Sequence, residues 1–148
     1  VVVMHIQGEP RVPNPHPAYE NVVDDVLRSL DQRVALCLRD GIAADRIIID
    51  PGPGFGKTTA HDLAILNQLE RFTAAPYPVL LAASRKQFIG DVLHAPPGQR
   101  LEGSLAAVAW GVLHGVKLVR VHDVRASRRV VLMTEAVCNP ERQPGFLP

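Results

Sequence analysis

Aspartate, lysine, arginine and histidine side chains occur in four short polar clusters, each directly after an apolar run: Met4-His5-Ile6-Gln7-Gly8, Asp50-Pro51-Gly52-Pro53-Gly54-Phe55-Gly56-Lys57, Ser84-Arg85-Lys86 and Arg120-Val121-His122-Asp123. Asp50 follows three isoleucines and precedes a proline, so its carboxylate leaves a desolvated strand end where it needs a donor. A carboxylate accepts two parallel hydrogen bonds from an amino-heterocycle as readily as from an arginine, which suits it to a guanidine-like base edge. Turning the chain before Pro51, or pairing with Lys57, is the structural alternative. Ser84-Arg85-Lys86 places two cations at the start of an expected helix, against its dipole; a bound anion or electron-rich ligand would compensate, and Lys86 is the stronger candidate. Arg120 and His122 flank Val121 and therefore share a face, where a guanidinium fork beside an imidazole suits phosphate or diphosphate oxygens. The alternative for His122 is a structural histidine held by Asp123. His5 is a weaker candidate, and His16, His61, His94 and His114 read as surface or packing residues.

The glycine-rich cluster invites comparison with a nucleotide-binding P-loop, because Gly56-Lys57-Thr58 matches the end of G-x-x-x-x-G-K-[ST]. The spacing fails: the first glycine would fall at Pro51, and Pro53 removes a backbone N–H that such a cradle uses. Three glycines around Phe55 suggest instead a mobile loop that folds over a flat ligand, with a simple glycine turn and a core phenylalanine as the alternative.

Four apolar, often β-branched runs must carry these clusters: Val1 to Ile6, Arg46 to Asp50, Pro78 to Ala83 and Val116 to Val121. They do not alternate apolar with polar, which favours parallel strands covered on both faces. Between them Val22, Val23, Val26, Leu27, Leu30, Val34 and Leu38 recur at helical spacing up to Gly41, a left-handed C-cap. A second helix is expected from Thr58 or Thr59 through Leu63, Leu66 and Leu69 to about Phe72. Arg85–Leu93 and Leu101 to Gly115 follow as a helix pair, and a last helix runs from near Ser127 to Cys138. Residues 1–138 then form the domain, and 139–148 a loose tail. Parallel βα units place all four clusters at the strand C-termini, the edge where ligands bind in both a (β/α)8 barrel and an open doubly wound sheet. With 148 residues the chain holds about half of such a barrel.

Composition removes other classes. Sixteen basic against fifteen acidic residues lack the excess expected of a nucleic-acid-binding chain, and 47% hydrophobic residues exclude a disordered one. Cys37 and Cys138 lack metal or disulfide spacing. No apolar run approaches a membrane span and no segment resembles a signal peptide, so the expected location is the cytoplasm.

In this order the four clusters, together with Arg100-Leu101-Glu102-Gly103-Ser104-Leu105-Ala106-Ala107, resemble the dihydropteroate synthase family. The match begins at the family's fifth strand and covers nearly the whole chain except the tail. The resemblance implies a TIM barrel that joins para-aminobenzoate to a dihydropterin carrying a methylene diphosphate and releases pyrophosphate, using magnesium and no redox cofactor. It implies that Asp50 binds the aminopyrimidine edge, Lys86 the carbonyl and ring-nitrogen side, Arg120 and His122 the diphosphate, Phe55 the benzoate ring and Gln87 the benzoate carboxylate. Gln87 stands where serine is common, Ala82 where glycine is frequent and Pro53 where an aromatic is frequent. The first four strands, with an asparagine for magnesium, lie outside the match. The expected partners are therefore the two substrates, a second copy in a homodimer, or the N-terminal half of the barrel. A non-catalytic half-barrel that binds pterin or diphosphate is the second hypothesis.

Overall fold

The computed structural model describes residues 1–9, 12 and 14–141. Strands and helices alternate: β1 (Val2–Met4), α1 (Val22–Arg39), β2 (Ile48–Asp50), α2 (Thr59–Asn67), α3 (Leu69–Thr73), β3 (Leu80–Leu81), α4 (Gln87–Leu93), α5 (Leu101–Leu113), β4 (Leu118–Val119) and α6 (Val124–Cys138). All strand pairs are parallel. β1 lies on β2 with Val2 opposite Ile48 and Met4 opposite Asp50. β3 lies on β4, and a bridge between Ile49 and Val79 joins the two pairs. The spatial order is thus the chain order, β1-β2-β3-β4. A doubly wound sheet reverses its order at a switch point; none occurs among the described residues, and consecutive parallel strands are the arrangement of a barrel arc.

Helix α1 forms where its periodicity placed it. Asn21 Oδ1 accepts from the N–H groups of Val23 (3.1 Å) and Asp24 (3.2 Å), a cap that contributes about 1 kcal/mol. At its other end Gly41 adopts φ +87°, and Ile42 N–H reaches back to Cys37 O. Val23, Val26, Leu30 and Val34 bury its inner face against Ile47, Ile49, Ile65, Phe72 and Val79. Leu38, expected on that stripe, is 42% exposed, in the last turn of the helix.

Other elements differ from expectation. The strands are two or three residues long rather than five or six, since the ladder stops where each chain enters its loop. The second helix breaks at Gln68, whose φ of −118° and ψ of 33° separate α2 from α3. Helix α4 starts at Gln87, because Arg85 sits at φ +56°, outside the helical region. Helix α6 starts three residues before Ser127, at Val124. It packs mainly on α5, and Val124, Met133 and Val137 remain about two-thirds exposed. The expected tail, from residue 142 onward, lies outside the described residues. Among the described residues no helix is long and apolar enough to cross a membrane.

Candidate active site

The strand ends bring the polar clusters together. Asp50 closes β2 with only 3% of its surface exposed, and its Oδ1 accepts from Gly52 N–H at 2.7 Å. Oδ2 has no hydrogen-bond partner among the described residues and is not fully enclosed. Burial pushes the Asp50 carboxyl up from the ordinary range; the Gly52 N–H and the charges of Lys86, Lys57 and Arg120 pull it back. Cations from three separate βα loops therefore act on one carboxylate. The two structural alternatives divide: Asp50 does turn the chain before Pro51, but it forms no ion pair with Lys57.

Lys86, which precedes α4, donates to Pro53 O and lies 4.3 Å from the centroid of the Phe55 ring. Burial lowers its pKa, with Asp50 and Asp62 opposing. Phe55 is 36% exposed, half on the surface and half under the lysine. Arg120 extends the β4 ladder by donating its N–H to Leu81 O at 3.1 Å and has an exposed guanidinium. His122 donates its backbone N–H to Ser84 Oγ (3.2 Å), and its Nδ1 sits 3.0 Å from the same oxygen. Asp123 does not hold His122; it takes the fork of Arg85, with contacts of 2.7 and 3.1 Å. Gln87 is less available than expected: its Nε2 donates to Asp91 at 2.6 Å and its Oε1 accepts from Arg100 at 3.3 Å.

The 50–57 segment, where the glycines suggested a mobile loop, is a turn held by several hydrogen bonds. Lys57 Nζ contacts His5 Nδ1 (2.9 Å), Gly52 O (2.8 Å) and Phe55 O (3.1 Å), using all three ammonium hydrogens. Gly54 N–H donates to Asp62 Oδ1 at 2.7 Å, and the Tyr19 hydroxyl donates to Gly56 O at 2.7 Å. Pro51 and Pro53 are fully buried. Asp62 and Tyr19 are the residues that sequence reasoning missed, and Lys57, weighed there as a partner of Asp50, holds the turn instead. Asp62 had a signal: Asp62, Ile65, Leu66 and Leu69 are buried at the helical step, so a carboxylate occupies a core position of α2.

His5 is buried beside Lys57, and its pKa falls from 6.5 to about 4, first through burial and then through the charges of Lys57 and Arg33. The unfolded chain therefore binds the extra proton between these values. His5 contributes stability that is complete above pH 6.5 and is lost as the pH falls from there toward 4, amounting to about 3 kcal/mol. Asp50 and Asp62, with pKa values raised by burial, act in the opposite direction. Urea titrations of wild type and His5→Gln, whose amide oxygen can still accept from Lys57, separate the two. The variant should lose less stability across this window, and parallel curves would refute the role.

Consecutive parallel βα units, with a buried carboxylate and several cations at the strand C-termini, make this an α/β protein with the arrangement of a barrel arc. The family described as "Pterin binding enzyme" matches residues 1–122, and the chain belongs to that family. It is 44% identical over 139 residues to the dihydropteroate synthase of Haemophilus influenzae, covering 94% of this chain and 50% of that protein. The Bacillus subtilis dihydropteroate synthase is 42% identical over 139 residues, with 94% and 46% covered. Among solved structures, Stenotrophomonas maltophilia dihydropteroate synthase with active-site-bound imidazole superposes with a TM-score of 0.90 at 39% identity, covering 97% of this chain and 53% of that one. Yersinia pestis dihydropteroate synthase in a sulfonamide drug complex gives 0.90 at 33% identity, with 94% and 51% covered. The resemblance read from the four clusters is thus borne out. The chain spans about half the length of the curated relatives it matches.

Proposed function

We propose that this chain is the C-terminal half of a (β/α)8 barrel that binds 6-hydroxymethyl-7,8-dihydropterin diphosphate. Completed by an N-terminal half, it condenses that substrate with para-aminobenzoate and releases pyrophosphate. The observation that carries the reading is Asp50: a buried carboxylate with one oxygen held by Gly52 and the other open, in the field of Lys86, Lys57 and Arg120. A pterin offers two adjacent N–H donors to such an oxygen pair. Lys86 then reaches the carbonyl side of the heterocycle, Arg120 and His122 take the diphosphate, Phe55 flanks the benzoate ring, and Gln87 approaches the benzoate carboxylate with the amide hydrogen that Asp91 does not use.

In the reaction the bond between the methylene carbon and the bridging oxygen breaks, and its electron pair leaves with pyrophosphate. The arylamine nitrogen forms the new carbon–nitrogen bond and gives up a proton. Positive charge grows on the pterin while negative charge leaves, so a fixed carboxylate on one side and a fixed guanidinium and imidazole on the other lower the barrier electrostatically. Among the described residues no three carboxylate, imidazole or thiol groups gather to hold a metal ion. The magnesium expected of the family would be held by the diphosphate and by residues outside this chain.

Uncovered apolar surface supports a partner. Val2 on β1 is about half exposed, and parts of α6 are about two-thirds exposed. A groove of about 430 Å³ between α2, α4 and α5 is lined by Leu63, Val92, Leu93 and Trp110. An N-terminal half-barrel at the sheet edges and a second copy at the helices are the occupants we assign, in the cytoplasm, where the free thiols of Cys37 and Cys138 would persist. The same exposure favours a second reading, a non-catalytic half-barrel that binds pterin or diphosphate. Calorimetry of pterin diphosphate against this chain, with and without the complementary half, tests the proposal. We expect weak binding alone, tighter binding together, and dihydropteroate formed only together. Failure to bind in both samples would refute a pterin site; binding without turnover in the complemented sample would leave the second reading.

A further inference from the structure

Arg100 is the one buried arginine or lysine among the described residues, 6% exposed, and it has no carboxylate within ion-pair distance there. A buried charge so placed must be met by hydrogen bonds. Its Nε donates to Ala95 O (2.9 Å), its Nη1 to the carbonyls of Arg85 (3.1 Å) and Lys86 (3.2 Å), and its Nη2 to Gln87 Oε1 (3.3 Å). All but the first of these grip three consecutive residues, 85 to 87. That segment needs an external restraint, because Arg85 holds φ +56°, a region costly for a side chain with a Cβ. The guanidinium also lies against the backbone of α4: a Cβ on Gly90 would stand 2.1 to 2.5 Å from three of its atoms. A rigid fork that satisfies several carbonyls at once is something neither lysine nor a neutral side chain reproduces.

We infer that Arg100, cradled by Gly90, is a positioning residue that holds the 85–87 backbone so that Lys86 projects over Phe55 and Gln87 stays beside Asp91. The inference rests on the reading of Lys86 and Gln87 as ligand-binding groups, but its test needs no ligand. The chain has three lysines, Lys57, Lys86 and Lys117, and Lys86 lies against an aromatic ring, so the ring current sets its methylene NMR signals apart. In Arg100→Met and Gly90→Ala the Lys86 signals should move to the position of an exposed lysine, while those of Lys117 stay in place. Arg100→Lys should shift them less. Folded variants with Lys86 unmoved would overturn the inference. Loss of folding in all three variants would overturn it too, since Arg100 would then serve the core rather than the site. If wild type binds no pterin, the proposed function fails while the Lys86 readout still decides the role of Arg100. If it does bind, Arg100→Met should weaken pterin and leave inorganic pyrophosphate, held by Arg120 and His122, unaffected.

Discussion

Gly52→Ala should lower the unfolding free energy by about 3 kcal/mol or more, whereas Gly54→Ala, two residues along the same turn, should cost only about 1 kcal/mol. Both glycines have positive φ, +64° and +79°, so both substitutions carry left-handed backbone strain. They differ in what the new methyl group meets. At position 52 it would lie 2.0 Å from His5 O, a main-chain atom. That oxygen is main chain directly after β1, whose pairing with β2 continues through His5 N–H to Asp50 O at 3.0 Å, so it can yield only with the backbone. At position 54 the nearest atom is Lys86 Cδ at 3.1 Å, part of a flexible chain that can swing aside. Urea unfolding of the two variants measures the difference directly. Equal losses would mean that the turn is not packed against β1 and that the loop is the mobile one its composition suggested.

That turn marks where sequence reading succeeds and where it stops. The clusters at the strand ends were legible because parallel βα connectivity dictates which end of each strand carries the ligand loops, and the strands came in that order. Helix α1 was legible because cap, stripe and C-cap glycine agree within one continuous segment. The bonding of residues 50–57 was not, since it comes from His5, Tyr19, Asp62 and Lys86, spread over more than 80 positions and converging only in three dimensions. Helix α2 shows the same limit at shorter range. Leu63, Leu66 and Leu69 fit a helical step, but the buried stripe is Asp62, Ile65, Leu66, Leu69 and Phe72, with Leu63 turned outward at 42% exposure. The leucine spacing points to Leu63 as the inward residue, whereas the carboxylate of Asp62, the partner of Gly54, fills that position. Arg85 departs from the expected helix for a related reason. Its bidentate pair with Asp123 bridges two loops and draws it out of α4.

Asp50→Asn should reduce pterin affinity roughly 30- to 100-fold, about 2 to 3 kcal/mol, without lowering stability. The two expectations come from the same burial. In the unliganded protein the carboxylate is held against desolvation, which raises its pKa, so a neutral amide of the same shape relieves a cost while its oxygen still accepts from Gly52 N–H. With the heterocycle bound, the balance reverses. An amide that keeps its oxygen on Gly52 turns its NH₂ toward the ring N–H groups, so donor faces donor where the carboxylate had offered an acceptor and a charge. The approach of Lys86 to the carbonyl side should matter less, and Lys86→Ala should leave part of the affinity that Asp50→Asn removes. Isothermal titration with a pterin and thermal melts on the same samples read both quantities. Reduced affinity together with reduced stability would make Asp50 a structural turn residue. Unchanged affinity would place the heterocycle away from the β2 end and remove the basis for assigning this site to pterin.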